Sequence, residues 1–119
     1  MEGYTVVIVD GDAGARERLR ERLRSHPDFT VAGEAENGGD ALAQILLTRP
    51  DFAVVDHDVP GLSAHELIKE ALAEYSRTKI VVCGDVAAGS AALAAGATAA
   101  ARKSDTLDEV IGTLEKLRD

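Results

Sequence analysis

The chain has little cysteine, few basic residues and no long apolar run, and each shortage excludes something. One cysteine, Cys83, rules out an intrachain disulfide framework and a multi-cysteine metal site, and fits a reducing compartment. Thirteen Lys and Arg stand against 21 Asp and Glu, for a formal net charge of −8. Phosphate backbones are held by basic side chains, so these residues are not expected to bind nucleic acid or an anionic membrane. No stretch approaches the roughly 18 apolar residues of a membrane span. The opening Met1-Glu2-Gly3-Tyr4 lacks the basic region of a signal peptide. A cytoplasmic protein is expected, without contact to a membrane.

What is present is globular: 119 residues, 45% hydrophobic and 29% charged, suited to one domain over 1–119. A chain of this size buries roughly two-thirds of its unfolded surface, enough for a core without staples. Thr5-Val6-Val7-Ile8-Val9, Phe52-Ala53-Val54-Val55 and Ile80-Val81-Val82-Cys83 are short apolar runs that suit strands covered on both faces. A further strand is expected from Thr30 to about Ala35. Helical faces recur between them: Leu19 with Leu23; Ala41, Leu42, Ile45 and Leu46; then Leu67, Ile68, Ala71, Leu72 and Tyr75. Ser63 with Glu66 has capping-box spacing. The alanine-dominated stretch from Val86 divides into a helix to about Ala95, a Gly96 C-cap and a weak strand from Thr98 to Arg102. Alanine favours helix, so that strand rests on the rhythm of the chain. Thr106 is expected to open the last helix, with Leu107, Val110, Ile111, Leu114 and Leu117 on one face.

Five strands alternating with five helices imply an α/β fold, a parallel sheet covered on both sides. Ligands of such folds bind at the carboxyl ends of the strands. The chemistry is therefore expected at Asp10 to Asp12, Asp56 to Asp58, Gly84-Asp85 and Lys103. Neighbouring carboxylates attract a cation, and Mg²⁺ takes one or two carboxylates with water and phosphate oxygens. A carboxylate can also accept a phosphoryl group, whose charge a lysine would offset. The plainer reading of each acid is a solvated loop carboxylate near a helix N-terminus.

Several stretches together resemble the receiver domain of two-component response regulators, of the NarL/FixJ kind, over essentially the full length. They are Val6-Val7-Ile8-Val9-Asp10 with Arg16 six residues on, Arg49-Pro50-Asp51-Phe52-Ala53-Val54-Val55-Asp56, and Val59-Pro60-Gly61-Leu62. Ala94-Ala95-Gly96-Ala97 precedes Lys103 at the family's spacing, and Val31 to Gly38 and Lys103-Ser104 carry the NarL/FixJ flavour. The resemblance implies a single (βα)5 doubly wound, flavodoxin-like sheet of strand order 2-1-3-4-5. It implies Asp56 as phosphoacceptor from a histidine kinase, Asp10 and Asp56 as Mg²⁺ ligands with the backbone carbonyl of Asp58, and Lys103 as the phosphoryl-contacting lysine. Phosphorylation then shifts the fourth helix, fifth strand and fifth helix, a surface that controls dimerisation or an output domain. A homodimer is open on this reading. DNA would be bound only through an output domain absent from this chain, and the end at Asp119 leaves a freestanding or a truncated receiver, with truncation favoured.

The sequence departs from the family's pattern at the pocket. Gly11 replaces the second acidic residue, which weakens the expected metal site. Asp12 is either its substitute or a helix N-terminal carboxylate. The switch Ser or Thr falls at Gly84, or at Cys83 with a one-residue shift, and neither supplies a hydroxyl. Ala100 stands at the switch aromatic. Asp85 either repels an incoming phosphate or points into solvent, and His57 and His65 are read as surface residues. The expectation is an atypical receiver that is phosphorylated weakly or not at all. An enzyme reading competes: Asp10-Gly11-Asp12 fits the DxD opening of haloacid-dehalogenase-like phosphatases, with Asp10 nucleophile and Asp12 general acid. It leaves Asp56 and the Pro60-Gly61 turn unexplained. Gly11-Asp12-Ala13-Gly14 is neither a dinucleotide fingerprint nor a P-loop.

Overall fold

A computed structural model describes residues 3–118. Met1, Glu2 and Asp119, and with them part of the leader and chain-end expectations, lie outside the described residues. The elements run β1 (Tyr4–Val9), α1 (Ala13–Arg24), β2 (Phe29–Ala35), α2 (Gly38–Thr48), β3 (Phe52–Asp56), α3 (Ala64–Glu74), β4 (Lys79–Cys83), α4 (Val86–Ala95), β5 (Ala99–Ala101) and α5 (Asp108–Leu117). The strands form one parallel sheet in the order β2-β1-β3-β4-β5, as the resemblance implied.

The continuous apolar strands are explained by what covers them. Side chains alternate across a strand, so Val7, Val9, Ala53, Val55, Ile80 and Val82 face one way and pack under α2, α3 and α4 through Ala41, Ile45, Leu67, Ile68, Ala71 and Ala92. Val6, Ile8, Phe52, Val54, Val81 and Cys83 face the other way, under Leu19 and Leu23 of α1 and Val110, Ile111 and Leu114 of α5. A polar residue in either set would lie in a core with no water to satisfy it. The two layers therefore fix the sheet in register and leave its carboxyl-terminal rim free for polar side chains.

The helix ends follow their sequence signals. Asp12, Asn37, Ser63 and Asp85 each cap the helix they precede by accepting a backbone N–H. Gly96 ends α4 at φ 115°, a left-handed conformation that glycine adopts at no cost. Two ends differ from expectation. Helix α5 starts at Asp108 instead of Thr106, because Leu107 takes φ 61° and turns its side chain into the core before the helix begins. Ser104 Oγ accepts the Leu107 N–H at 3.1 Å and holds this bend. Strand β5 is also shorter than the expected Thr98 to Arg102: alanine offers little side chain to anchor a longer pairing.

Candidate functional site

Three strand ends meet at one rim. Pairing of Val9 with Val55 brings Asp10, just past β1, beside Asp56, the last residue of β3. Pairing of Asp56 with Cys83 sets Gly84 next to His57. Lys103 follows β5 by two residues and reaches back over β4. Its Nζ donates to Asp10 Oδ2 and, at 2.8 Å, to Asp56 Oδ1. The two acids and the lysine singled out in the sequence are thus one constellation.

Each carboxylate is also oriented by the backbone. Asp10 is buried and its Oδ1 accepts the Asp12 N–H at 2.9 Å, while its carbonyl accepts Arg16 Nη1 at 2.7 Å. Asp56 Oδ2 accepts the Asp58 N–H at 3.2 Å. Burial works against the charge on Lys103, but hydrogen bonds and attraction from Asp10 and Asp56 outweigh it and raise its pKa above 10.5. The ammonium is firmly charged at neutral pH. Beside the three groups a cleft of about 580 Å³ opens between α1 and the segment before α5, with Arg18, Ser104 and Leu107 among its walls.

The loop after Asp56 is pinned by close packing. Gly61 turns at φ 79°, and the Gly38 N–H donates to the Pro60 carbonyl at 2.9 Å. A Cβ on Gly38 would lie 1.9 Å from the Leu62 carbonyl oxygen, so only glycine lets α2 start there. This explains the spacing of Asn37-Gly38 and Pro60-Gly61 physically: the two segments brace one another beneath the loop that follows Asp56.

The remaining candidates fall outside the constellation. Asp12 is exposed, and its carboxylate accepts the Gly14 N–H at 2.9 Å as the cap of α1. Of its two readings, this geometry is the helix cap. The phosphatase reading needs Asp12 as an acid beside Asp10, and the cap gives it other work. Asp85 is likewise exposed and caps α4 through the Ala88 N–H at 2.8 Å. Gly84 directly follows β4 and Ala100 is the middle residue of β5, and neither has a hydroxyl or a ring. An added Cβ at Gly11 would sit 2.9 Å from Pro60 Cδ, so the ring of Pro60 fills the space an acidic side chain would need to leave the backbone.

His57 is exposed, as expected of a surface residue, but its ring makes specific contacts. Its side chain is 43% exposed, but Nδ1 lies 3.1 Å from the Cys83 carbonyl and 4.0 Å from Asp56 Oδ1. The ring covers the side of Gly84 that has no side chain. No local signal in the sequence marks this contact, because it forms across the pairing of β3 with β4.

For a divalent cation the rim offers two side-chain carboxylates. Among the described residues no three His, Cys, Asp or Glu side chains gather to hold a metal. Two carboxylates fall within the one or two that usually hold Mg²⁺, which completes its shell with water and phosphate oxygens. The donor set therefore fits a loosely held, largely hydrated ion.

Residues 6–115 match the family described as the response regulator receiver domain. The receiver domain of the putative response regulator NarL from Mycobacterium tuberculosis superposes with a TM-score of 0.87 at 27% identity, covering 98% of this chain and 96% of that one. The uncharacterized transcriptional regulatory protein YhcZ of Bacillus subtilis is 32% identical over 111 residues, 91% of this chain and 52% of that protein. A protein-glutamate methylesterase/protein-glutamine glutaminase of Carboxydothermus hydrogenoformans is 40% identical over 70 residues, 59% of this chain and 21% of that protein. The chain spans between about a fifth and a half of the length of these curated relatives.

Proposed function

The chain belongs to the response regulator receiver domain family, and we propose that residues 1–119 form one phosphoryl-accepting input module with Asp56 as the acceptor. The observation that carries this reading is the bridging of Asp56 and Asp10 by Lys103 at the sheet's carboxyl-terminal rim. A carboxylate oxygen of Asp56 attacks the phosphorus of a phosphohistidine on a histidine kinase. The O–P bond forms as the N–P bond breaks, and the departing imidazole keeps the electron pair and takes a proton from water. Lys103, already in contact with Asp56, offsets the negative charge on the transferred group. Asp10 holds the lysine in place. Mg²⁺, held by Asp10, Asp56 and the Asp58 carbonyl, supplies further charge neutralisation when bound.

The acceptor works slowly in this reading. Gly11 removes one metal-binding side chain and Gly84 one hydroxyl, and loss of outer-shell groups alone costs a metal site tenfold to a hundredfold. The module carries a signal; it does not turn over a substrate. Its output is transcriptional in this reading, which is supported by the likeness to the NarL receiver domain and to the regulator YhcZ over 91% of the chain. The face formed by α4, β5 and α5 passes the signal to that output or to a second copy. With a net charge of −8 the module leaves DNA to its output domain. A cytoplasmic setting is supported by the buried free thiol of Cys83 and by the absence, among the described residues, of a helix long and apolar enough to cross a membrane.

Incubation with a small phosphodonor and Mg²⁺, followed by intact mass, tests the assignment. Slow, partial gain of one phosphoryl group, absent from Asp56→Asn, is the expected result. Modification that survives Asp56→Asn would overturn the acceptor, and rapid stoichiometric modification would overturn the weakened pocket.

A further inference from the structure

The end of β4 has no side chain, yet the space beside it is filled. A Cβ built on Gly84 would lie 2.7 Å from His57 Nδ1, 2.8 Å from His57 Cγ and 2.9 Å from Ala88 Cβ. These are closer than real Cβ contacts come, so the imidazole occupies the volume a residue at position 84 would claim. The ring is wedged between the strand end and the first turn of α4.

Its anchor is a bond that can be given up. A carbonyl oxygen only accepts, so the 3.1 Å contact with the Cys83 oxygen assigns the proton to Nδ1. The same oxygen accepts the His57 backbone N–H at 2.9 Å. Withdrawing the ring therefore strands no buried acceptor, and the cost of an unsatisfied group does not arise. The ring also borders a cavity of about 200 Å³ between α3 and α4, bounded by His57, Ile68, Ala88 and Ala92, so the packing on that side of it is loose. Alanines on α4 leave that space open.

Nδ1 stands 4.0 Å from Asp56 Oδ1, too far for a hydrogen bond. A phosphoryl group on Asp56 adds three strong acceptor oxygens beyond the carboxylate. Resting on the reading of Asp56 as acceptor, we infer that His57 is the switch residue of this domain: its Nδ1–H leaves the Cys83 carbonyl for a phosphoryl oxygen on Asp56, and the ring withdraws from Gly84 and Ala88. The start of α4 then repacks into the vacated volume. One side chain thus covers both the missing hydroxyl at position 84 and the missing ring at position 100, since it contacts the phosphoryl group and moves a bulky group at the signalling face.

Beryllofluoride with Mg²⁺, titrated into the chain and followed by amide NMR, tests this in the wild type, His57→Ala and His57→Gln. In the wild type, amides near the acceptor (Asp58, Lys103) and at the start of α4 (Ala88, Gly89) shift together. In His57→Ala the Asp58 and Lys103 shifts persist at a beryllofluoride requirement raised at least roughly tenfold, the loss expected for one hydrogen bond to a charged acceptor, and the Ala88 and Gly89 shifts vanish. His57→Gln keeps an N–H donor and recovers most of the affinity. Unchanged Ala88 and Gly89 responses in His57→Ala, at wild-type ligand concentrations, would overturn the switch and leave the acceptor standing. Absence of any shift at Asp58 and Lys103 in the wild type would overturn the acceptor reading, and the switch with it.

Discussion

Lys103 Nζ lies 2.8 Å from Asp56 Oδ1, although 47 residues separate them along the chain and β4 lies between their strands. The same nitrogen also holds Asp10, so one cation joins the ends of three strands. Two carboxylates this close are tolerated because the ammonium stands between them.

Replacing it with a neutral side chain exposes their repulsion. Lys103→Met is expected to lower stability by about 1 kcal/mol, less than for a buried pair because the lysine side chain is 37% exposed. The folded-state pKa of Lys103 is raised above its ordinary 10.5. Its contribution is therefore complete below that value and is lost as pH rises through the higher folded one. Urea unfolding of both proteins should show a constant gap from neutral pH to about pH 9, closing only in stronger base. Phosphorylation of Asp56 from a small donor should fall at least tenfold in the variant.

The thiol of Cys83 gives a second pH-dependent expectation. Burial is the main cause that pushes its pKa up to about 12, from 9.0, and the nearby Lys103 only partly opposes this. The thiolate is the reactive form, so the native protein should resist a thiol reagent at pH 8 and react only as urea unfolds it. A raised folded pKa in an acid means that the unfolded chain gives up its proton first. Stability tied to this thiol is present below pH 9 and declines from there toward pH 12. Rapid labelling of the folded chain at pH 8 would contradict the burial argument.

The parts of this molecule that sequence reveals are those where local pattern and global position agree. Val6 to Val9 and Phe52 to Val55 read as strands because a β-branched or aromatic run with no polar break has only a doubly covered sheet to enter. The rim site follows from them, since groups at strand ends of a parallel sheet must share one side. Strand β5 was legible only by rhythm, as Ala99–Ala101 carries no strand preference of its own. Leu107 and Arg49 adopt left-handed conformations that nothing in a leucine or an arginine announces; core packing and the turn into Pro50 impose them. The course of the His57 ring was hidden for a related reason. It depends on a void at Gly84, across a strand pairing, and an exposed-looking histidine does not disclose which void it will fill.

Gly11 offers a test of the proposed weak metal site. Gly11→Asp supplies the carboxylate that the family's pattern has and this chain lacks, but its Cβ meets Pro60 Cδ at 2.9 Å. Pro60 is exposed and its ring is stiff, so the loop must shift by a few tenths of an ångström. The variant should lose about 1 kcal/mol of stability without metal and bind Mg²⁺ roughly tenfold or more tightly. Calorimetric titration with Mg²⁺, alongside urea unfolding in chelator, reads both effects. Equal Mg²⁺ affinity in the two proteins would mean that position 11 does not face the ion.

Restoring a hydroxyl at the end of β4 is the converse experiment, and crowding decides its outcome. Gly84→Ser places a Cβ 2.7 to 2.8 Å from the His57 ring and 2.9 Å from Ala88 Cβ. Backbone strain plays no part, since Gly84 is not among the positive-φ residues. Overpacking of this kind costs roughly 1–3 kcal/mol. Removing the ring relieves its share of the clash but leaves the contact with Ala88, so the same substitution made in His57→Ala should cost distinctly less without becoming free. Residues in contact couple in this way, and a double-mutant cycle measures the coupling directly. An additive cycle would show that the imidazole does not hold the place of the absent side chain. A clear coupling energy, with the double variant folding normally, would show that position 84 and His57 compete for one volume beside Asp56, which is the physical condition for either of them to answer a phosphoryl group there.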